Sequence, residues 1–97
     1  MVAYWIGRTR IIDPSPMTDY VRLAKLAGEK HPHRTLARGG RSRVLEGETA
    51  FDRFVLNEFP SVEAALAFYN SPEYQEAVAL RMKASDGRGD LVLLESL

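Results

Sequence analysis

The chain contains no cysteine. That excludes disulfides, thiolate metal ligands and thiol nucleophiles, and it fits a reducing compartment. There are two histidines, His31 and His33, separated by a single proline. With no third ligand at a regular spacing, no metal or haem is expected as an intrinsic cofactor. No long apolar run is present either. The opening Met1-Val2-Ala3-Tyr4-Trp5-Ile6-Gly7 is apolar but lacks a preceding basic region and falls far short of the roughly 20 residues of a membrane span. It reads as a first strand, and the protein as cytoplasmic, with no membrane partner. Net charge is also absent, at thirteen basic against thirteen acidic residues. This argues against a broad basic footprint for nucleic acid.

What is present is sufficient for one small domain spanning residues 1–97. Apolar residues make up 45% of the chain, enough for one packed layer between a sheet and helices. The zero net charge hides an asymmetry. Residues 1–43 carry nine Lys/Arg against three acids, and residues 44–97 carry four against ten. Opposed halves suit complementary contact within or between chains, as well as a simply solvated surface.

Along the chain, Val2 to Ile12 is rich in β-formers, and alternation separates Ala3, Trp5, Gly7 and Thr9 from Tyr4, Ile6, Arg8 and Arg10. Asp13-Pro14-Ser15-Pro16 ends this strand and starts a helix, with Ser15 as the expected cap. Met17, Tyr20, Val21, Ala24 and Ala27 then recur at helical spacing. Arg34 to Arg38 reads as a short second strand running into Gly39-Gly40, followed by an extended arm at Val44–Gly47. Phe51 to Phe59 is a third strand, closed by Pro60. Ser61 caps a second helical stretch, which Asn70-Ser71-Pro72 interrupts and restarts, and Leu91 to Glu95 reads as a buried fourth strand. The order β-α-β-β-α-β is that of an α+β, ferredoxin-like domain: a four-stranded antiparallel sheet with its helices on one face. Tyr4, Ile6, Phe54 and Leu56 then lie on the uncovered face, which predicts a homodimer joined sheet to sheet.

Several segments resemble one family in their order and spacing: Asp13-Pro14, Arg38-Gly39-Gly40, Leu45-Glu46-Gly47, Glu58-Phe59-Pro60-Ser61, Phe68-Tyr69, Ser71-Pro72-Glu73-Tyr74 and Leu80-Arg81. The chain is similar to the domain of unknown function family 1330 over almost its whole length. The resemblance implies a dimeric α+β barrel. That superfamily includes cofactor-free monooxygenases, muconolactone isomerase-like enzymes and haem-degrading enzymes, together with members of no assigned activity. The sequence departs from the family's pattern at Pro32-His33, where Gly-Gly is common, and at Arg8 and Arg10, where acids are frequent.

The leading candidate site joins Arg38 with Glu58. Period-two counting can put both on the uncovered sheet face with Tyr4 and Arg8, as a polar island in a cavity between sheet and partner chain. There Arg38 would anchor an anion with help from Arg8, Glu58 would serve as hydrogen-bond partner or catalytic base, and Tyr4 would donate a hydrogen bond. A structural Arg38–Glu58 pair at the dimer interface is the competing reading. Tyr69, Tyr74 and Arg81 can line the cavity mouth or simply pack, and His33 is the better placed histidine. The basic stretch His33 to Arg43 and the strand Phe51-Asp52-Arg53-Phe54-Val55 lack the glycine-aromatic core of an RNA-recognition strand. Two functions follow: a small-molecule binder or cofactor-independent enzyme, or a non-catalytic dimeric interaction module.

Overall fold

A computed structural model describes residues 1–97. The elements are β1 (Ala3–Thr9), α1 (Met17–Lys30), β2 (Arg34–Arg38), β3 (Arg53–Phe59), α2 (Val62–Tyr69), α3 (Pro72–Ser85) and β4 (Gly89–Glu95). The strands form one antiparallel sheet in the order β2-β3-β1-β4. Expected and observed order agree, with the second helical stretch divided in two. Ser71 makes the division: its hydroxyl donates to the Phe68 carbonyl (2.7 Å) and accepts from the Tyr74 amide (3.3 Å), so it closes α2 and caps α3, where Pro72 fills the first position. Ser61 caps α2 through the Ala64 amide as expected.

Three local expectations are corrected. Ser15 does not cap α1; its amide binds the Asp13 carboxylate in a turn, and Pro16 occupies the cap position without a side-chain bond. The first strand is shorter than Val2–Ile12, because the amides of Ile12 and Asp13 leave the sheet for the Ala84 carbonyl at the end of α3. The fourth strand begins at Gly89 and is an edge strand rather than a buried one, with Val92 and Leu94 exposed by 53% and 57%.

The core lies between the sheet and the helices. Trp5 is its centre, with the rings of Phe68 at 5.3 Å, Tyr74 at 5.4 Å and Phe59 at 5.6 Å. Emptying such a position costs about 3–5 kcal/mol. Alternation along β1 and β3 sends Trp5, Thr9, Asn57 and Phe59 to this side, where all four are buried. Tyr4, Ile6, Phe54 and Leu56 go to the other side, which no helix covers. Val92 and Leu94 pair with Ile6 and Tyr4 and extend that apolar face.

The opposed charge of the two halves is used within the chain. Arg8 pairs with Asp90, Lys30 with Glu73, and Arg34 with Glu58, each a base from the first half against an acid from the second. All three are at least partly solvated, so they fix register more than they stabilise.

Candidate functional site

A cavity of about 720 Å³ opens between the sheet and the helices rather than on the uncovered face. Its floor is formed by Trp5, Gly7 and Thr9 of β1 and by Val55 and Asn57 of β3. The register places Asn57 opposite Trp5, Val55 opposite Gly7, and Arg53 opposite Thr9. α1 contributes Tyr20 to the wall, and α3 contributes Tyr74 and Arg81. Tyr74 stands one turn into α3 and Arg81 seven residues further on, which is two helical turns, so both project from one face of that helix.

These side chains form a connected group. Arg81 Nη1 donates to the Tyr74 hydroxyl at 3.1 Å, and the Tyr74 and Tyr20 hydroxyls lie 3.2 Å apart. The Arg53 and Arg81 guanidiniums each sit 6.0 Å from the Tyr20 ring centre. Burial, reinforced by Tyr20, pushes the Tyr74 phenol far above its ordinary value, so it stays neutral. Tyr74 accepts from Arg81, and either of the two phenol hydroxyls can donate to the other.

Arg81 retains only 9% of its surface and has no carboxylate within ion-pair distance. Its hydrogen-bond partner is a neutral phenol. Two further polar groups on the floor, Thr9 Oγ1 and Asn57 Oδ1, are buried with no partner in the protein. Buried polar atoms are ordinarily satisfied, so these two atoms, beside a guanidinium with no carboxylate, mark where the protein's own contacts stop. Lys25 and Arg38 bring further positive charge, against Glu29 and Asp90, and Asp90 is already held by Arg8. No three His, Asp or Glu side chains cluster so as to hold a metal ion.

The candidates taken from the sequence are divided by the sheet. Arg38 lines the cavity from its edge, but Glu58 does not join it. A bulge between Thr35 and Ala37 shifts the pairing, so Arg38 faces Val55 on the helix side while Glu58 faces Arg34 on the uncovered side, with Arg34 Nε 3.9 Å from its carboxylate. Strict alternation through β2 misses this extra residue. Tyr4 sits beside Glu58 on the uncovered face. Arg8 is on that face too, held by both Asp90 carboxylate oxygens and stacked 4.6 Å above Phe51, where it lines a second hollow of about 380 Å³. The hydrogen bonds from Arg8 hold the Asp90 carboxyl below its ordinary value.

Tyr69 packs 6.0 Å from Trp5 and does not line the cavity, whereas Tyr74 does. His33 also lines it, stacked on Phe59 at 4.6 Å with Nδ1 against the His31 carbonyl. Thr9, Asn57 and Tyr20 were not singled out by the sequence. A signal existed for two of them: Thr9 and Asn57 are the polar members of alternation sets that also hold Trp5 and Phe59.

Fold and site together define a ferredoxin-like α+β protein with a polar cavity beneath its helices. Residues 2–97 match the family described as Domain of unknown function (DUF1330), and the chain belongs to that family. Among curated proteins, none matches it. A protein of unknown function from Rhodopseudomonas palustris superposes with a TM-score of 0.77 at 22% identity, covering 99% of this chain and 82% of that one. A dimeric ferredoxin-like protein of unknown function from Jannaschia sp. CCS1 gives 0.72 at 16%, covering 99% and 100%. The hydroxynitrile lyase of Passiflora edulis gives 0.68 at 14%, covering 99% and 96%. At these identities the likeness is one of fold. No helix is long and apolar enough to cross a membrane.

Proposed function

We propose that the protein binds a small organic anion in the cavity between sheet and helices, as a cytoplasmic homodimer joined through the uncovered sheet faces. The observation that carries the binding half is Arg81, a guanidinium nine-tenths buried in a cavity wall with no carboxylate beside it. An uncompensated buried charge costs several kcal/mol, and a ligand anion supplies the missing partner. Arg53 flanks the same Tyr20 ring as Arg81 and brings a second cation to that end of the cavity. Arg38, exposed at the rim, becomes an outer contact instead of the main anchor. That one similar structure is a hydroxynitrile lyase supports a fold able to host an enzyme.

The dimer rests on the apolar face of Tyr4, Ile6, Phe54, Leu56, Val92 and Leu94, and on similar structures being dimeric ferredoxin-like proteins. The same face favours a second reading, in which the dimer itself is the functional object and the cavity holds nothing.

The two separate in a thermal-shift series of small carboxylates and their neutral amides. Carboxylates should raise the melting temperature of the wild type and the amides should not, with the response lost in Arg81→Met. In titrations, affinity for the best carboxylate should fall about tenfold or more, corresponding to the roughly 1.5–3 kcal/mol of a charge-assisted hydrogen bond. If no carboxylate binds, or Arg81→Met binds as well as wild type, the interaction-module reading replaces this one.

A further inference from the structure

The two unpartnered floor groups sit at different ends of the cavity. Thr9 is opposite Arg53, and Arg53 and Arg81 both flank Tyr20, so this is the cationic end. Asn57 is opposite Trp5 on one side and Thr35 on the other, four residues along the strand from Arg53. That separation is about 13 Å between backbones, and side chains reaching in from both ends shorten the span a ligand must bridge. The Asn57 side chain is 8% exposed, lines the cavity, and leaves Oδ1 without a donor. Lys25, Glu29 and His33 also line the cavity, yet none of them bonds Asn57 Oδ1, and Arg53 and Arg81 lie at the other end.

Between the ends lie Gly7 and Val55. A Cβ on Gly7 would meet Leu91 Cδ1 at 3.6 Å and Trp5 Nε1 at 3.8 Å, both ordinary contacts, and the backbone there requires no positive φ. Neither sterics nor backbone conformation demands glycine. Its effect is to keep the middle of the floor open and apolar.

From these observations we infer that the ligand is an elongated organic acid whose far end carries a hydroxyl group. The acid meets Arg81, Arg53 and Tyr20, a slender apolar body lies over Gly7 and Val55, and the hydroxyl meets Asn57. A hydroxyl suits this position because it both donates and accepts, so it satisfies either orientation of the amide. The inference rests on the anion reading above but uses a different group, and the two fail differently.

The experiment is calorimetric titration of the wild type with phenylacetate, 2-hydroxyphenylacetate and 4-hydroxyphenylacetate. The 4-hydroxy acid should bind about tenfold or more tighter than phenylacetate, the scale of one hydrogen bond to a buried polar group, and the 2-hydroxy acid should gain no such advantage. In Asn57→Leu the 4-hydroxy acid should lose its advantage over phenylacetate and 2-hydroxyphenylacetate. The free variant should melt higher, because an unpaired buried amide has been replaced by an apolar group. Equal binding of all three acids by the wild type, or a 4-hydroxy preference that survives Asn57→Leu, overturns the hydroxyl inference and leaves the anion site standing. Binding of 4-hydroxybenzyl alcohol as tightly as 4-hydroxyphenylacetate overturns the anion site. The wild-type comparison needs no variant to fold.

Discussion

The two faces of the sheet treat charge in opposite ways. On the uncovered face two ion pairs within the chain flank the apolar patch: Arg8 with Asp90 at one end, and Arg34 with Glu58 at the other. On the helix side the most buried cation, Arg81, has only a phenol, and two polar floor atoms have nothing. Covering paired charges with another surface costs less than covering unpaired ones. On the proposed reading a polar guest supplies what the helix side lacks. The same strands thus present a side suited to a second copy of the chain and a side suited to a small molecule.

The largest effect that can break this contrast is an unpaired charge on the uncovered sheet face. Leu56→Asp puts a carboxylate amid Ile6, Phe54 and Val92, and should dissociate the dimer and unfold much of it, since such a charge costs several kcal/mol when buried. Light scattering reads the outcome directly. A wild type that is monomeric at micromolar concentration would remove the premise.

A middle-sized effect sharpens the helix side. Tyr74→Phe takes away the acceptor on which buried Arg81 depends and should cost about 1–3 kcal/mol at neutral pH in a denaturant melt. It should also flatten the alkaline limb. In the wild type, Tyr74 titrates higher when folded than when unfolded, where its value is near 10.0. Below that pH both states keep the proton. Above it the unfolded chain releases a proton that the folded chain retains, so stability falls as pH rises. An alkaline limb unchanged by the substitution would show that Tyr74 is not insulated as described.

The smallest effect belongs to the exposed pair. Asp90 is depressed by Arg8, so whatever the pair contributes is present above the unfolded value of 3.8 and is lost as pH falls through and below it. Asp90→Asn should barely move the melting temperature at pH 7, with any difference vanishing in acid and in high salt. A large, salt-insensitive loss would mean that the pair is already sealed by a partner.

Much of the fold was legible because its signals are local and redundant. The alternation of Trp5, Gly7 and Thr9 against Tyr4, Ile6 and Arg8, and the Ser-Pro restart at Ser71-Pro72, each specify backbone within a few residues. The site was less legible because it depends on relations that no single segment carries. Arg38 changed faces through one unpaired residue in β2, which alternation cannot reveal. Arg81 reads in the sequence, with Tyr69 and Tyr74, as lining a cavity mouth or packing; that its guanidinium is buried with only a phenol for partner is decided by the folded neighbours. Thr9 and Asn57 could have been noticed as polar residues in apolar alternation sets, but which of them lacks a partner is decided by neighbours distant in sequence.

The bulge in β2 has a consequence for how such a chain can diversify. β2 is an edge strand, exposed along its length, and only one neighbour holds it. Loss of a single residue there would restore plain pleating, turn the Arg38 guanidinium away from the cavity mouth and toward the face where Glu58 and Arg34 lie, and leave Trp5 and its ring of aromatics untouched. A one-codon deletion is therefore a route by which the polarity of the entrance can be rewritten separately from the interior, while the scaffold stays constant.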